Sequence, residues 1–493
     1  MAMDAQILNL KTKNGVVLVP QPSDNINEPY NWSNLRKNVL ICTLAFSSGV
    51  SSSLGPMISP GLVLASETYK VTLDVASTYL VGFLILFTGF GTFFTAAAAS
   101  IWGKRPVFVI STLMLLVTCI WGYFSKSFES LCAMRAIQGL ASAPLETLVT
   151  STVSDIFFVH QRGQKLAIWG LTANSGVLLG QVISGYIIQN LGLLTTFGIT
   201  AIMFCLILPA MVFLVPESAN LLEKPGKVDE KRETNGVNNG ATKRPYRKEL
   251  KLFNGRISDK SFWTLALKPL RMIMFPAVVF STFVYGSYFT LLVIFSVLST
   301  NVFTSPQYGL TPSQVGLTNL PLLGVTLIGS PISGAVADWF ARFMARRNNG
   351  IYEPEFRLVL MIPATMLSTL GFLGYGLSID KGAPVAVPLT FMTLHSLSMP
   401  FAASASFTYV IDCHPKDANQ AFVSINSVKA LFTFVASMFV NGWYSTRGPK
   451  EVFTCIAAIN LVLSVITVPM YIYGKRFRSV VRVTLDFPRV VLA

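Results

Sequence analysis

Twelve apolar runs limit what this chain can fold into. Each run holds about 20 residues or more, which at ~1.5 Å per residue is long enough for a helix, tilted if needed, to cross the hydrocarbon core of a bilayer. The runs lie at 38–59, 75–98, 106–124, 130–153, 166–188, 194–215, 271–298, 314–337, 357–378, 385–411, 419–442 and 451–473. The predicted fold is therefore an all-α membrane protein with twelve transmembrane helices.

The composition and the absence of catalytic, metal-binding and nucleotide-binding motifs limit the functions that we expect of this chain. Only 12% of the residues are charged, against about 25% in soluble domains. The chain has no Gly-x-x-x-x-Gly-Lys-Ser/Thr loop, no metal-ligand cluster, and no nucleophile spaced with a base and an orienting group. We therefore expect a protein that is not an enzyme and that uses no metal and no cofactor.

A polar stretch divides the runs into two sets of six. Residues 217–268 are rich in charge and poor in apolar side chains, which predicts a linker that cannot bury a core. The predicted domains are a cytoplasmic tail (1–36), an amino-terminal six-helix bundle (37–216), a cytoplasmic linker (217–268), a carboxy-terminal six-helix bundle (269–474) and a cytoplasmic tail (475–493).

The positions of lysine and arginine predict orientation. With the amino terminus in the cytoplasm, 31 of the 38 basic residues fall on the cytoplasmic side and 5 on the other, while Arg135 and Lys429 stay within the membrane. Both termini are therefore predicted to be cytoplasmic. The net charge of +15 then lies on the leaflet where anionic lipid attracts basic residues, so nucleic acid is not needed to explain it.

The fourth run carries charged residues, which are costly inside a membrane and therefore indicate a structural or functional role. Arg135, Gln138 and Glu146 lie within it, and the eleven positions between the two charges place them on one helix face about 16 Å apart. That face must look onto a partner, the bundle interior or a wet cavity. By their positions in the tenth and eleventh runs, His395 and Lys429 lie at the depth of Glu146. We expect Glu146 to bind a proton or a cation, with Lys429 and His395 tuning its proton affinity.

Two short turns resemble one another and a known family. ASIWGKRPV follows the second run and GAVADWFARFMARR follows the eighth. They resemble the Gly-x-x-x-Asp-Arg-x-Gly-Arg-Arg motif of the major facilitator superfamily and its degenerate second copy. The first turn keeps Gly103, Lys104 and Arg105 but has Ser100 at the aspartate position. The second turn keeps three residues of the motif, Gly334, Asp338 and Arg342. In the family, the aspartate helps to latch the two halves together.

Further motifs extend the resemblance over the chain up to about residue 475. Arg135, Gln138 and Gly139 resemble the Arg-x-x-Gln-Gly motif, whose arginine is associated with proton coupling. NSGVLLGQVISGY, which runs from Asn174, resembles the antiporter motif through Gly176, Gly180 and Gly185 and departs from it at Gln181 and Ser184. YNWSNLRKN, VSDIFFVHQRG and LVPES resemble the fungal drug and proton antiporter branch, near its polyamine and cation transporter relatives. Small residues at this spacing usually serve close helix packing, and for Gly176 and Gly180 we favour packing over a role specific to transport.

The resemblance implies a secondary transporter with a small-molecule site between two six-helix bundles, driven by a proton gradient through alternating access. The candidate cavity residues are Arg135, Gln138, Glu146, Asn174, Gln181, His395 and Lys429. We expect export of a hydrophobic or amphipathic compound, such as a drug, toxin or secondary metabolite, by a monomer in the plasma membrane or, alternatively, the vacuolar membrane. Import of polyamines or other cations, and a transport-inactive sensor or scaffold, remain alternatives.

Overall fold

The computed structural model of the chain describes residues 28–218, 250–253, 255–349, 352–414 and 417–485, together with two paired strands near the amino terminus. Strands β1 (Thr12–Lys13) and β2 (Val16–Val17) form an antiparallel pair. The centre of the predicted linker, from 219 to 249, lies outside the described residues. All other regular structure that is described is helical.

The first half of the chain forms six long helical stretches, two of which are interrupted. Their helices are α1 (Asn34–Ser53), α2 (Leu62–Tyr69), α3 (Leu73–Ser77), α4 (Phe83–Trp102), α5 (Lys104–Phe124), α6 (Phe128–Ile156), α7 (Val159–Leu191) and α8 (Thr195–Leu214). A 3₁₀ segment, Pro56–Gly61, joins α1 to α2, and a π-helical turn, Thr78–Gly82, joins α3 to α4. Both interruptions leave backbone carbonyl groups without the hydrogen bonds that they would accept within a regular α-helix.

The second half forms six more long stretches after one short helix. The helices are α9 (Phe262–Met272), α10 (Pro276–Thr304), α11 (Pro312–Leu317), α12 (Asn319–Arg347), α13 (Met361–Asp380), α14 (Ala386–Cys413), α15 (Ala418–Ser437), α16 (Val440–Val465) and α17 (Thr467–Leu485). A 3₁₀ segment, Pro354–Leu360, precedes α13. Helix α16 is kinked at Gly448, which has a φ of 75° and is followed by a proline.

Nine of the twelve long stretches, within the described residues, are long and apolar enough to cross a membrane. The other three, α6, α14 and α15, fall short of that apolarity. They carry Arg135, Gln138, Glu146, His395 and Lys429, the polar residues singled out in the sequence. The least apolar helices are thus the ones with polar groups to place inside the protein, as expected for a bundle around an internal site.

The two halves meet along α4 against α15 and along α7 against α11 and α12. A Cβ atom at Gly89 would lie 2.5 Å from the Cβ of Ala430, and one at Gly185 would lie 2.5 Å from the carbonyl oxygen of Pro312. The backbones of the two halves therefore approach each other without room for a larger side chain. We call the face at which α1 begins, and where Lys104, Arg105, Arg162, Arg346 and Lys475 lie, the basic face.

The two halves pack closely toward the face opposite the basic face, where Gly185 of α7 meets Pro312 of α11. Asn174, Gln181 and Gly185 share one side of α7, since spacings of seven and eleven residues return to within about 20°. Gln181 is buried and receives a hydrogen bond from Ser296 of α10 (2.9 Å), whereas Asn174 is exposed. Helix α7 therefore contacts the other half at Gln181 and Gly185.

Candidate functional site

An ion pair joins the two halves at the middle of the bundle. The Nζ atom of Lys429, on α15, lies 3.0 Å from Oε1 of Glu146, on α6. The lysine side chain is only 5% exposed, whereas the glutamate side chain is 35% exposed. Both residues lie near the middle of their helices. The pair is therefore a contact between halves in which the carboxylate is accessible and the ammonium is not.

Aromatic rings of α10 and α14 line one side of this pair. The Lys429 ammonium lies 3.9 Å from the centroid of the Phe289 ring, a cation–π contact. Tyr285, one turn earlier on α10, is close enough to interact electrostatically with both charges, and its ring packs on that of Phe407 at 4.5 Å. The site thus combines a carboxylate with ring faces, a chemistry that accepts organic cations and amphipathic molecules.

Arg135 lies in the core of the amino-terminal half, not beside Glu146. It is fully buried, and its guanidinium donates to the carbonyl oxygens of Leu54 (2.8 Å), Gly55 (3.1 Å) and Leu80 (2.5 Å). It also donates to Oε1 of Gln138 at 2.8 Å. The three carbonyl groups lie at the end of α1 and in the π-helical turn, where the regular ladder is interrupted. Arg135 thus satisfies the backbone at two helix interruptions.

His395 does not reach Glu146 through any described contact. Its Nδ1 atom lies 3.0 Å from Oγ of Ser368, which also accepts a hydrogen bond from Asn460 (3.1 Å). Its ring is fully buried against Phe295 and Phe372. These neighbours belong to the interior of the carboxy-terminal half, so the expected influence of His395 on Glu146 has no direct contact to carry it.

The glycines of α7 serve two different contacts. A Cβ atom at Gly176 would lie 2.0 Å from the carbonyl oxygen of Gly49, and one at Gly180 would lie 2.6 Å from the Cβ of Ser53. Both are contacts with α1, inside the amino-terminal half. Gly185 instead faces α11 across the joint between the halves. The motif predicted from sequence therefore divides into a packing part and a part that permits closure.

At the first turn of the basic face, Glu217 accepts hydrogen bonds at the start of α5. Its two carboxylate oxygens accept from the backbone N–H groups of Lys104 (3.0 Å) and Arg105 (3.1 Å). Gly103 has a φ of 97°, and a Cβ atom there would lie 2.2 Å from the Glu217 carboxylate. Lys104 pairs with Asp155 at 2.6 Å. These contacts remain within the amino-terminal half.

The second turn is also tied to its own half. Asp338 pairs with Arg357 at 2.8 Å, while Arg342 donates to the backbone carbonyl of Asp338 at 3.0 Å. Tyr352, beside Arg357, donates to Oδ2 of Asp412 at 2.5 Å. Burial, reinforced by this hydrogen bond, raises the pKa of Tyr352 well above its ordinary value. A Cβ atom at Gly334 would meet no atom of the described residues within 4 Å.

Sequence reasoning missed Glu217, Arg357 and Phe289. Glu217 stands in the LVPES segment, which resembles the fungal antiporter branch. Nothing in that segment indicates that the Glu217 carboxylate caps α5. Arg357 is one of many basic residues at a helix start. Phe289 is one aromatic residue among 36 phenylalanines. Each of the three residues contacts a partner that is distant in the sequence, and the residues around it do not indicate that partner.

Two six-helix bundles with a polar site at their joint define the class of protein, an integral, multi-pass transporter of small molecules. The chain matches the family model of the Major Facilitator Superfamily over residues 40–437 and belongs to that superfamily. Members of this superfamily are transporters rather than enzymes, and they bind small-molecule substrates.

Similar proteins include fungal relatives and a bacterial structure. The chain is 26% identical to Protein HOL1 of Saccharomyces cerevisiae, over 95% of this chain and 91% of that protein. It is 23% identical to Efflux pump radE of Floropilus chiversii, over 93% and 84% respectively. The xylose transporter XylE from E. coli superimposes with a TM-score of 0.62 at 14% identity, covering 88% of this chain and 97% of the other. The last likeness shows the fold alone.

Proposed function

We propose that the protein is a proton-coupled secondary transporter that exports a small hydrophobic or amphipathic compound by alternating access. The observation that carries the proposal is the Glu146–Lys429 pair, because each partner belongs to a different half. When two halves rock about a central site, a contact between them has to change. A proton on Glu146 would remove the attraction and release Lys429, so protonation and movement of the halves are coupled.

The surroundings of the pair favour an amphipathic cargo. The half-buried Phe289 offers a ring face, and the partly exposed Glu146 offers one charge. One relative spanning most of the chain is an efflux pump by name. Export of a drug, toxin or secondary metabolite against a proton gradient agrees with both.

A second candidate is import of polyamines or other organic cations. Its supporting observation is Lys429 itself, whose ammonium lies 3.0 Å from the Glu146 carboxylate and 3.9 Å from the Phe289 ring centroid. A site that binds the primary ammonium of Lys429 in this way could also bind the ammonium group of a polyamine. The third alternative, a transport-inactive sensor or scaffold, does not account for retaining a costly charge pair at mid-depth.

The test of direction and substrate class is transport in cells that lack their own exporters. Uptake and efflux of polyamines and of lipophilic toxins are followed before and after collapse of the proton gradient. Export of a lipophilic toxin that stops on collapse supports the first candidate, whereas gradient-dependent uptake of a polyamine supports the second. The absence of gradient-dependent movement of both classes would contradict both candidates.

The variant Glu146→Gln tests the coupling residue. We expect it to fold, to exchange substrate down its gradient and to lose dependence on pH. If the pair is only a static lock, Glu146→Gln is instead destabilised by an unpaired Lys429 and rescued by adding Lys429→Met. Glu129→Gln is the matched control, since Glu129 is an exposed residue of the same helix. Concentrative, pH-dependent transport in Glu146→Gln would remove Glu146 from the mechanism.

We further propose that the basic face and both termini are cytoplasmic, with the protein in the plasma membrane or, alternatively, the vacuolar membrane. The distribution of basic residues supports this orientation. A reporter cysteine at Asn238 should not react with an impermeant reagent applied outside intact cells that carry the protein at their surface. Labelling of this cysteine from outside would show that the proposed orientation is wrong.

A further inference from the structure

Helix α9 presents three distinct stripes along its length. Phe262, Ala266, Pro269 and Met272 face the protein. An exposed apolar stripe follows at a spacing of four and three residues, and it consists of Trp263, Leu267 and Leu270. At 100° per residue these three positions fall within about 60° of one another. Thr264, Lys268 and Arg271 form a third, exposed polar stripe beside it.

The helix is attached to both halves of the protein. The ring of Phe262 lies 6.0 Å from that of Trp102, at the end of α4. On the other side, Ser424 of α15 donates to the carbonyl oxygen of Pro269, and Lys268 pairs with Asp417 at 2.8 Å. Helix α9 therefore spans the joint between α4 and α15 at the basic face.

The apolar stripe continues a surface that the bilayer already covers. The Trp263 ring, 63% exposed, lies 6.4 Å from that of Phe94, which is itself 44% exposed on α4. Phe94 lies about two turns inside the end of a helix that crosses the membrane. Trp263 therefore points from α9 back toward the hydrocarbon, and the stripe behind it shares that side.

The charge around α9 suits anionic headgroups. Residues 251–271 contain five basic residues and a single acidic one, Asp259. Lys268 is engaged with Asp417, while Lys260 and Arg271 are exposed. An amphipathic helix with an apolar side, a tryptophan and a basic side lies in the plane of the membrane interface.

We propose that α9 is an in-plane membrane anchor whose apolar stripe enters the leaflet at the basic face. Two exposed basic residues, Arg271 on α9 and Lys260 just before it, bind anionic lipid headgroups. Because α9 is attached to both α4 and α15, the anchor holds the joint between the halves at the level of that leaflet. The proposal does not depend on the transported substrate.

Photocrosslinking of the full chain in lipid nanodiscs tests the insertion. Benzoylphenylalanine replaces Leu267 in one variant and Thr264 in another, and lipid adducts are measured by mass spectrometry. We expect adducts on lipid acyl chains at Leu267 and few at Thr264, since the two stripes face different surroundings. Equal adduct yields at both positions, or none at Leu267, would overturn the anchor.

The same crosslinker at Leu267 tests headgroup selection in nanodiscs that mix phosphatidylserine with phosphatidylcholine. We expect phosphatidylserine to be enriched in the adducts by at least about twofold over its share of the nanodisc. Adding Lys260→Gln and Arg271→Gln should abolish the enrichment, whereas Arg346→Gln, an exposed arginine elsewhere on the basic face, should retain it. Unchanged enrichment of phosphatidylserine in the double variant would contradict the proposed contact of Lys260 and Arg271 with the headgroups.

Discussion

Replacing Arg135 by lysine keeps a positive charge in the core but removes the planar group that satisfies the broken helices. Arginine reaches its partners from three nitrogen atoms, so one side chain serves the end of α1 and the π-helical turn together. Lysine has a single nitrogen at the end of a flexible stem. It can approach the Leu54 and Gly55 carbonyls or the Leu80 carbonyl, but not both sets.

The expected cost follows from the contacts that are lost. Arg135 donates four hydrogen bonds, and a lysine that retained two of them would leave two carbonyl or amide oxygens without a donor. Hydrogen bonds to a charged group contribute roughly 1.5–3 kcal/mol each. We therefore expect Arg135→Lys to lower the free energy of unfolding by about 3–6 kcal/mol. The variant should still reach the membrane and should transport poorly, because the interruptions it leaves unsatisfied belong to helices beside the joint.

The free energy of unfolding is measured by denaturant titration of the purified protein in detergent, beside delivery to the membrane and transport in cells. Arg346→Lys is the matched control, since Arg346 is exposed on the basic face and should change stability by less than about 0.5 kcal/mol. Unchanged stability together with normal transport in Arg135→Lys would refute the reasoning and reduce Arg135 to a generic positive charge.

Three further predictions concern single contacts. Gly103→Ala should lower stability by about 1–3 kcal/mol, because of its positive φ and the adjacent Glu217 carboxylate, and an unchanged melting temperature would contradict this. Gly185→Leu should keep the face opposite the basic face from closing. A cysteine at Ser313, which is buried on α11 beside α7, should then react faster with an impermeant reagent applied to that face, and equal rates would argue against the closure contact. The pKa of folded Tyr352 is raised above the unfolded value of about 10, so its contribution to stability is complete below pH ~10 and declines as pH rises toward the folded pKa. Wild type should therefore lose more stability than Tyr352→Phe in that range, and parallel stability curves would exclude this contribution.

The fold was predictable because each helix is encoded locally. An apolar run of about 20 residues has one compact way to satisfy its backbone in a membrane. Apart from the stretch 217–268, the runs of this chain are separated by short polar turns. The polar residues of the fourth, tenth and eleventh runs could be found in the same way. Helix α9 was not predicted as a helix because it begins inside the polar stretch 217–268, where charge obscured the spacing of Trp263, Leu267 and Leu270.

The arrangement of the site was only partly predictable. Depth along a helix follows from counting residues, so Glu146 and Lys429 could be placed at one level, and the structure brings them into contact. Depth does not determine which way a helix is turned. His395 shares the level of the pair, yet its described contacts lie inside the carboxy-terminal half. The partners of Arg135 were equally hidden, since a π-helical turn at Thr78–Gly82 has no sequence signature that we could read.

Arg135 and Glu146 differ in what can happen to them when the halves move. They lie on one side of the same helix, but every described partner of Arg135 belongs to its own half, so rocking of the halves leaves those hydrogen bonds intact. Glu146 has its partner, Lys429, across the joint. A group with partners in its own half can hold the fold through every state, whereas a group paired across the joint changes energy with each state. Of these two charges on α6, Glu146 is therefore the one whose protonation we propose to be linked to the transport cycle.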